Sequence, residues 1–179
     1  LRGNFFLAQR TAAGFARAVE AYEASTARDP AFKPPLARAA YAYGLGIYYG
    51  VGDLPPDTVV ARAERATALA MRQAPEVSDT WLAQGWYLLI TSFLGTRNDM
   101  AGARAALARA VQLDPRSPEA HHQFAQALVF LAEDSLAESE YRRAVDLEPG
   151  RAVSLQELSL LSLFRERFAD AVRWADSAL

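Results

Sequence analysis

Two histidines, His121 and His122, are the residues of this chain best suited to metal or proton chemistry, and they are its only histidines. A zinc site needs three or four ligands. Adjacent residues on a helix point about 100° apart, so these two cannot easily share one metal. We therefore expect no metal site. His121 is predicted to take a packing position, and His122 is predicted to lie on a face that could contact a ligand.

A group of acidic residues follows the histidines and could supply general acids or bases. Glu133, Asp134, Glu138 and Glu140 are followed by Arg142 and Arg143, and Glu138 stands four residues before Arg142. That spacing is typical of an ion pair on a solvated helix face. The chain has no cysteine and no Gly-x-Ser-x-Gly elbow, so neither a thiol nor a hydrolase-type serine nucleophile is indicated. The sequence predicts no catalytic residue and no enzyme.

A glycine-rich stretch, residues 44–52, is the place where a phosphate could be cradled. No strand precedes it, and no Gly-Lys-Ser or Gly-Lys-Thr follows. With Pro55 and Pro56 directly after it, the stretch instead predicts the end of a helix and a turn. We expect no bound nucleotide and no other cofactor.

The amino-acid composition limits the classes of function that remain possible for this protein. The 179 residues are 51% hydrophobic with a net charge of −2, which suits a folded protein and gives no reason to expect nucleic acid. The apolar runs are shorter than the roughly 18–20 residues of a membrane span. A chain without cysteine suits either side of a membrane. The cytoplasm is slightly favoured over an extracytoplasmic location, and the compartment stays open.

An internal repeat organises the chain. Four prolines recur at intervals that shorten along the sequence, and each of them is preceded by an alanine at the same distance, twelve residues upstream. A fifth alanine continues the series, and each of the five is followed seven residues later by another small residue. Small residues at fixed positions let paired antiparallel helices approach closely, and proline ends the second helix. The prolines are Pro30, Pro75, Pro115 and Pro149, and the small residues are Ala18, Ser25, Ala63, Ala70, Ala103, Ala110, Ala137, Ala144, Ala171 and Ala178.

The first helix of each repeat carries a further signature, seen in Trp81-x2-Gln84-Gly85-x2-Leu88 and His121-x2-Phe124-Ala125-x2-Leu128. These residues match the pattern of a tetratricopeptide repeat (TPR). The chain resembles a TPR array along its whole length, and its segment from Leu1 to Phe32 is similar to arrays attached to kinase, cyclase or winged-helix domains in bacterial signalling proteins. The resemblance implies an all-α fold of antiparallel helix pairs stacked in a right-handed superhelix.

The predicted organisation is one array, 1–179. The second and third repeats are long, with extra residues at 44–56 and 91–98 between their first and second helices. These insertions either lengthen the first helix or form a binding edge with Tyr48 and Tyr49. The predicted repeats are 1–32, 33–77, 78–117, 118–151 and 152–179, with helices at 12–28, 35–50, 57–73, 78–94, 98–113, 118–131, 134–147, 151–164 and from 168 onward. Candidate N-caps are Asp57, Ser78 and Ser117.

The TPR resemblance implies a non-catalytic scaffold that binds a peptide or protein through its inner groove or through the insertion edge. One alternative is a module that regulates an attached kinase, cyclase or DNA-binding domain in cis, and another is a small-ligand sensor. Related arrays that hold a chaperone's terminal carboxylate use Lys, Arg and Asn at the groove positions, and this chain has none of these residue types there. The candidate groove residues are Ala37, Tyr41, Leu82, Trp86, Leu89, Ile90, His122, Gln126, Val129, Gln156 and Leu160.

The fifth repeat stops before its second helix would be complete. A stack of helix pairs needs a polar end, and this repeat offers apolar residues instead. We expect the native chain to continue with at least one more helix, and this piece to cover its bare end by self-association. The residues expected in that apolar end are Leu155, Leu158, Phe168, Val172 and Trp174.

Overall fold

The structure is a computed structural model that describes residues 2–178. In this range the chain forms ten α-helices and no strand, which confirms the predicted all-α fold, and the short helix Arg2–Leu7 is one that the sequence analysis did not predict. The helices are α1 (Arg2–Leu7), α2 (Ala12–Arg28), α3 (Pro34–Tyr49), α4 (Pro56–Gln73), α5 (Ser78–Phe93), α6 (Met100–Leu113), α7 (Pro118–Phe130), α8 (Asp134–Leu147), α9 (Ala152–Phe164) and α10 (Phe168–Ser177).

The residues at which several helices begin are explained by the local sequence. Proline, whose ring suits the first turn of a helix, begins α3, α4 and α7. Ser117 caps α7 as predicted, since its Oγ accepts a hydrogen bond from the Ala120 amide at 3.2 Å. The other two expected caps were wrong. Asp57 and Ser78 lie inside the first turns of α4 and α5, and the Ser78 hydroxyl donates to the Ala110 carbonyl of α6 at 2.9 Å.

The predicted small positions lie inside the helix pairs. Ala63, Ala103 and Ala137 are fully buried in α4, α6 and α8, which pack against α3, α5 and α7. Gly85 in α5 shows how close this packing is, because a Cβ there would lie 2.5 Å from Leu107 Cγ in α6. Any larger residue at Gly85 would force the two helices apart.

Each of the two insertions partly lengthens a helix and partly forms the connection that follows it. Residues 44–49 continue α3 to Tyr49, and residues 91–93 continue α5 to Phe93. Left-handed glycines then turn the chain, at φ 85° for Gly50 and φ 72° for Gly95. Both α3 and α5 have 16 residues, three more than α7 and α9, and most of the remaining extra residues lie in the connection to the next helix.

The chain divides into two compact units, unit 1 (1–113) and unit 2 (114–179). Unit 1 contains α1–α6 and unit 2 contains α7–α10. The single array and its repeat boundaries stay predictions. None of the helices in the described part of the chain combines the length and apolar character that crossing a bilayer requires.

Unit 2 is held together by a carboxylate among three arginines. Glu138 in α8 accepts hydrogen bonds from Arg142 at 2.7 Å, Arg165 at 3.1 Å and Arg167 at 2.7 Å. The Arg167 hydrogen bond is the main cause that lowers the pKa of Glu138 to about 2, against an opposing contribution from burial. The predicted pair with Arg142 is present, but Glu138 is buried instead of solvated because two arginines at the α9–α10 turn cover it.

Candidate functional site

In unit 1, α3 and α5 pack side by side along what we call the α3/α5 seam, and the predicted groove residues belong to these two helices. All six are buried in the structure, and Trp86, at 8% exposure, is the most accessible of them. They are therefore packing residues in this structure, with little surface to offer a ligand. The six are Ala37, Tyr41, Leu82, Trp86, Leu89 and Ile90.

Small residues on α3 explain this burial. A Cβ at Gly44 would lie 3.0 Å from Trp86 Cδ1, so the indole of α5 packs directly on the backbone of α3. The Trp86 indole nitrogen is buried and has no hydrogen-bond partner among residues 2–178. Shape complementarity, without a polar contact, therefore holds this ring in place.

In unit 2, side-chain hydrogen bonds join α7 to α9 along a surface we call the α7/α9 seam. His122 Nδ1 lies 2.9 Å from Ser154 Oγ. One turn further along each helix, the side chain of Gln126 hydrogen-bonds Glu157. Val129 of α7 and Leu160 of α9 stand about one turn further along their helices. An ion pair between Glu119 and Arg151 precedes this series.

The two histidines take different positions. His121 packs like Trp81 one repeat earlier, since His121 Nε2 lies 3.1 Å from the Pro115 carbonyl and Trp81 Nε1 lies 2.7 Å from the Pro75 carbonyl. Burial opposes protonation of His121, but Glu140 at 2.6 Å outweighs it and raises the pKa of His121. His122 is buried, so its ring contributes to the packing of the α7/α9 seam and is not accessible to a ligand.

The middle of the α7/α9 seam is rich in hydrogen-bond acceptors. The Oε1 atom of Gln126 is buried and has no partner among the described residues. Burial raises the pKa of Glu157, while the hydrogen bond from Gln126 opposes that rise. Gln156 lies exposed beside Glu157. An unpaired acceptor next to a poorly solvated carboxylate favours a ligand that brings a hydrogen-bond donor.

The end of the α7/α9 seam is apolar and accessible. The predicted residues Val129 and Leu160 are exposed, at 38% and 47%. The sequence reasoning missed Phe130, Leu163 and Phe164, of which Phe164 is 82% exposed. The repeat itself could have found them, since Leu163 and Phe164 stand one repeat after Val129 and Phe130.

A second apolar surface lies at the insertion edge of unit 1. Tyr48 and Tyr49, both predicted there, are exposed, and their ring centroids are 4.9 Å apart. Phe93 and Leu94, one repeat further along the chain, are exposed at the end of α5. Because α3 and α5 pack together and have the same length, these four side chains belong to the same edge of unit 1.

The C-terminal repeat is better packed than the sequence suggests. Leu155 and Leu158 are buried, and Leu158 forms a core with Tyr141. Phe168 and Val172 of α10 are exposed as expected. Self-association through this end stays a prediction. Among residues 2–178, no three His, Asp or Glu side chains are grouped as metal ligands would be.

No protein-family model matches the chain. Over 139 residues, or 73% of this chain, the sequence is 30% identical to the cytochrome c-type biogenesis protein CycH of Pseudomonas aeruginosa. The chain spans about a third (33%) of the length of that relative.

Similarity to solved structures of other proteins shows the fold of this chain. The chain is similar to TTC0263, a TPR protein of Thermus thermophilus, with a TM-score of 0.69, 17% identity, and coverage of 93% of this chain and 82% of that one. It is similar to MamA with a TM-score of 0.61, 16% identity, and coverage of 92% and 86%. For YrrB, described as a TPR protein with an unusual peptide-binding site, the TM-score is 0.56 at 20% identity, with coverage of 92% and 76%. The chain therefore has the TPR fold, as its repeat pattern predicts.

Proposed function

We propose that this chain is a non-catalytic interaction module that holds an apolar segment of a partner protein on the α7/α9 seam of unit 2. The observation that supports this most is the contrast in accessibility between the predicted groove positions. Those in unit 1 are buried, whereas Val129, Gln156 and Leu160 in unit 2 are exposed. Exposed apolar residues in a contiguous group are typical of protein-binding surfaces.

The chemistry of the seam suggests how a segment would bind. Apolar side chains of the partner would pack against Val129, Leu160 and Phe164, which are already accessible. A donor on the partner, such as a backbone N–H, would reach the unpaired Oε1 of Gln126. The apolar contacts would supply most of the affinity, and the buried acceptor would select for a correctly placed donor.

The relative CycH suggests a process in which to look for the partner. Its name assigns it to cytochrome c-type biogenesis, and 73% of this chain aligns with about a third of it. We infer that this chain serves the same process as a binding module. The polypeptide of a c-type cytochrome, in its haem-free form, is accordingly the first partner to test.

The central experiment selects peptides from a random displayed library on the purified chain and measures their affinity by fluorescence anisotropy. The double variant Val129→Ser, Leu160→Ser should weaken the selected peptides by about tenfold or more, because it removes two central apolar contacts. Circular dichroism should stay unchanged, since both residues are exposed.

A matched control is the double variant Phe93→Ser, Leu94→Ser, which changes two exposed apolar residues of unit 1. Binding should be retained in this control. Loss of binding in the control, with retention in the unit 2 variant, would move the site to the insertion edge and contradict the proposal. The haem-free cytochrome should compete with the selected peptide, and failure to compete would remove the cytochrome assignment alone.

A further inference from the structure

A cleft of about 660 Å³ opens in unit 1 between α1, α2, the first turn of α3 and Asp79 of α5. Its volume lies within the range of ordinary ligand sites. None of the α3/α5 seam residues described above lines it. The charged residues of its wall are Arg2, Arg17, Glu20, Arg28, Arg38 and Asp79, and the aromatic ones are Phe6, Tyr22 and Phe32.

The wall carries an excess of positive charge. Arg38 Nε pairs with Asp79 Oδ2 at 2.6 Å, so this ion pair is largely neutral. What remains is three arginines against the single carboxylate of Glu20. The Tyr22 hydroxyl donates to Asn4 Oδ1 at 2.6 Å, and burial is the main cause that raises the pKa of Tyr22 to about 12. Tyr22 therefore adds no negative charge at neutral pH.

The arginines of the cleft differ from those of unit 2. In unit 2, arginines such as Arg142 and Arg167 lie within 4 Å of a carboxylate. Among residues 2–178, no carboxylate lies within that distance of Arg17 or Arg28. The Arg17 guanidinium instead stacks on the Phe6 ring, 4.0 Å from its centroid. Stacking occupies the face of the guanidinium and leaves its N–H edges available to an acceptor.

The spacing of Arg17 and Arg28 points to an extended ligand. They stand eleven residues apart on α2, which is close to three helical turns, so both project from the same face about 16 Å apart. A single small anion cannot contact both. An extended peptide rises about 3.3 Å per residue, and so covers that distance in about five steps.

We propose that this cleft binds an extended acidic peptide segment, with carboxylates at its two ends held by Arg17 and Arg28 and an apolar residue against Phe32, the exposed aromatic ring of the wall. The cleft holds the ligand by charge and aromatic contact, so it is independent of the α7/α9 seam. The cleft would thus be a second binding surface that prefers acidic ligands, whereas the α7/α9 seam is proposed to bind an apolar segment.

The test uses a labelled hexapeptide with acidic ends and an apolar centre, Ac-EDFLDE-amide, and its neutral counterpart Ac-QNFLNQ-amide. Affinity for the full chain is measured by fluorescence anisotropy. We expect the acidic peptide to bind about tenfold or more tightly than the neutral one, because charge-assisted hydrogen bonds to arginine are lost in the latter. The variant Arg17→Gln, Arg28→Gln should lower affinity for the acidic peptide by a similar factor.

A charge-matched control is Arg65→Gln, Arg72→Gln, since both residues are exposed on α4 and neither lines the cleft. This variant should change the affinity less than about twofold. Three results would overturn the proposal: equal binding of the two peptides, equal loss in the two variants, or no binding of the acidic peptide at about 1 mM. Circular dichroism of each variant separates a loss of binding from a loss of fold.

Discussion

The α3/α5 seam and the α7/α9 seam occupy equivalent positions in the repeat, yet the first is buried at every predicted groove position whereas the second ends in exposed apolar residues. Trp86 on α5 corresponds to Gln126 on α7, and Gly44 on α3 corresponds to Val129. In unit 1 a large ring packs on a glycine of the neighbouring helix, which closes the seam. In unit 2 an amide hydrogen-bonds a carboxylate, and the apolar residues beyond it stay exposed. Repeat register thus identifies equivalent positions, while side-chain size on the facing helix decides whether they can bind anything.

The largest expected effect comes from removing the ring that closes the α3/α5 seam. Trp86→Ala should lower the free energy of unfolding by about 3–5 kcal/mol, because a large buried side chain is lost and a cavity remains. Leu160→Ala, at the same repeat position in unit 2, should cost about 1 kcal/mol or less, since Leu160 is half-exposed. Urea denaturation of both variants tests this. Equal losses would show that the two seams do not differ as described.

A second prediction concerns the stability of the fold at low pH. The pKa of Glu138 is lowered to about 2, from a usual value of 4.5, so its contribution to stability is present above pH 4.5 and is lost as the pH falls towards 2. Glu138→Gln should cost about 1.5–3 kcal/mol near neutral pH, because charge-assisted hydrogen bonds to arginine are lost.

Hydrogen exchange followed by mass spectrometry can resolve this effect by unit. Between pH 5 and pH 3, α8–α10 should lose protection in the wild type more than α3–α6 do, and this loss should be smaller in Glu138→Gln. Uniform loss of protection along the chain would indicate that Glu138 does not hold unit 2 together.

A larger side chain at Gly44 tests the close packing of the α3/α5 seam from the α3 helix, opposite Trp86. Gly44→Leu should destabilise the protein by about 1–3 kcal/mol, because even the Cβ would lie 3.0 Å from Trp86 Cδ1. Val129→Leu is the matched change in unit 2 and should alter stability by about 0.5 kcal/mol at most, since Val129 is exposed. Thermal and chemical denaturation of the pair provide the measurement. A well-tolerated Gly44→Leu would argue against close packing of α3 and α5.

The smallest effect is expected at His121, where the repeat replaces the tryptophan of unit 1 with a titratable ring. The pKa of His121 is raised above its usual 6.5, so its pairing with Glu140 stabilises the fold below that pH. This stability is lost as the pH rises through the folded-state pKa. Stability should therefore fall by about 1 kcal/mol or less between pH 6 and pH 8. His121→Gln should remove this pH dependence of stability. If the variant still loses stability between pH 6 and pH 8, another titratable group is responsible.

Nine of the ten helices in the described part of the chain and the recurrence of buried small residues were predictable from sequence because they depend on local or periodic signals, whereas α1 was not predicted. Pro118 after Ser117 identifies the start of α7, and the buried alanines recur with the repeat. The accessibility of the groove positions was not predictable, because the burial of Trp86 depends on a glycine of the preceding repeat. Glu138 illustrates the same limit, since Arg165 and Arg167 from the following repeat turn a surface residue into a buried one.

The three tryptophans are unevenly distributed, and this provides an optical reporter. Trp81 and Trp86 belong to unit 1, while Trp174 in unit 2 lies beneath the guanidinium groups of Arg142 and Arg173, 5.4 Å and 4.8 Å from its ring. In Trp174→Phe, the remaining indole fluorescence therefore comes from unit 1 alone. The buried Trp86 should emit at shorter wavelength than a solvated indole, so opening of the α3/α5 seam can be followed as a red shift without any attached dye.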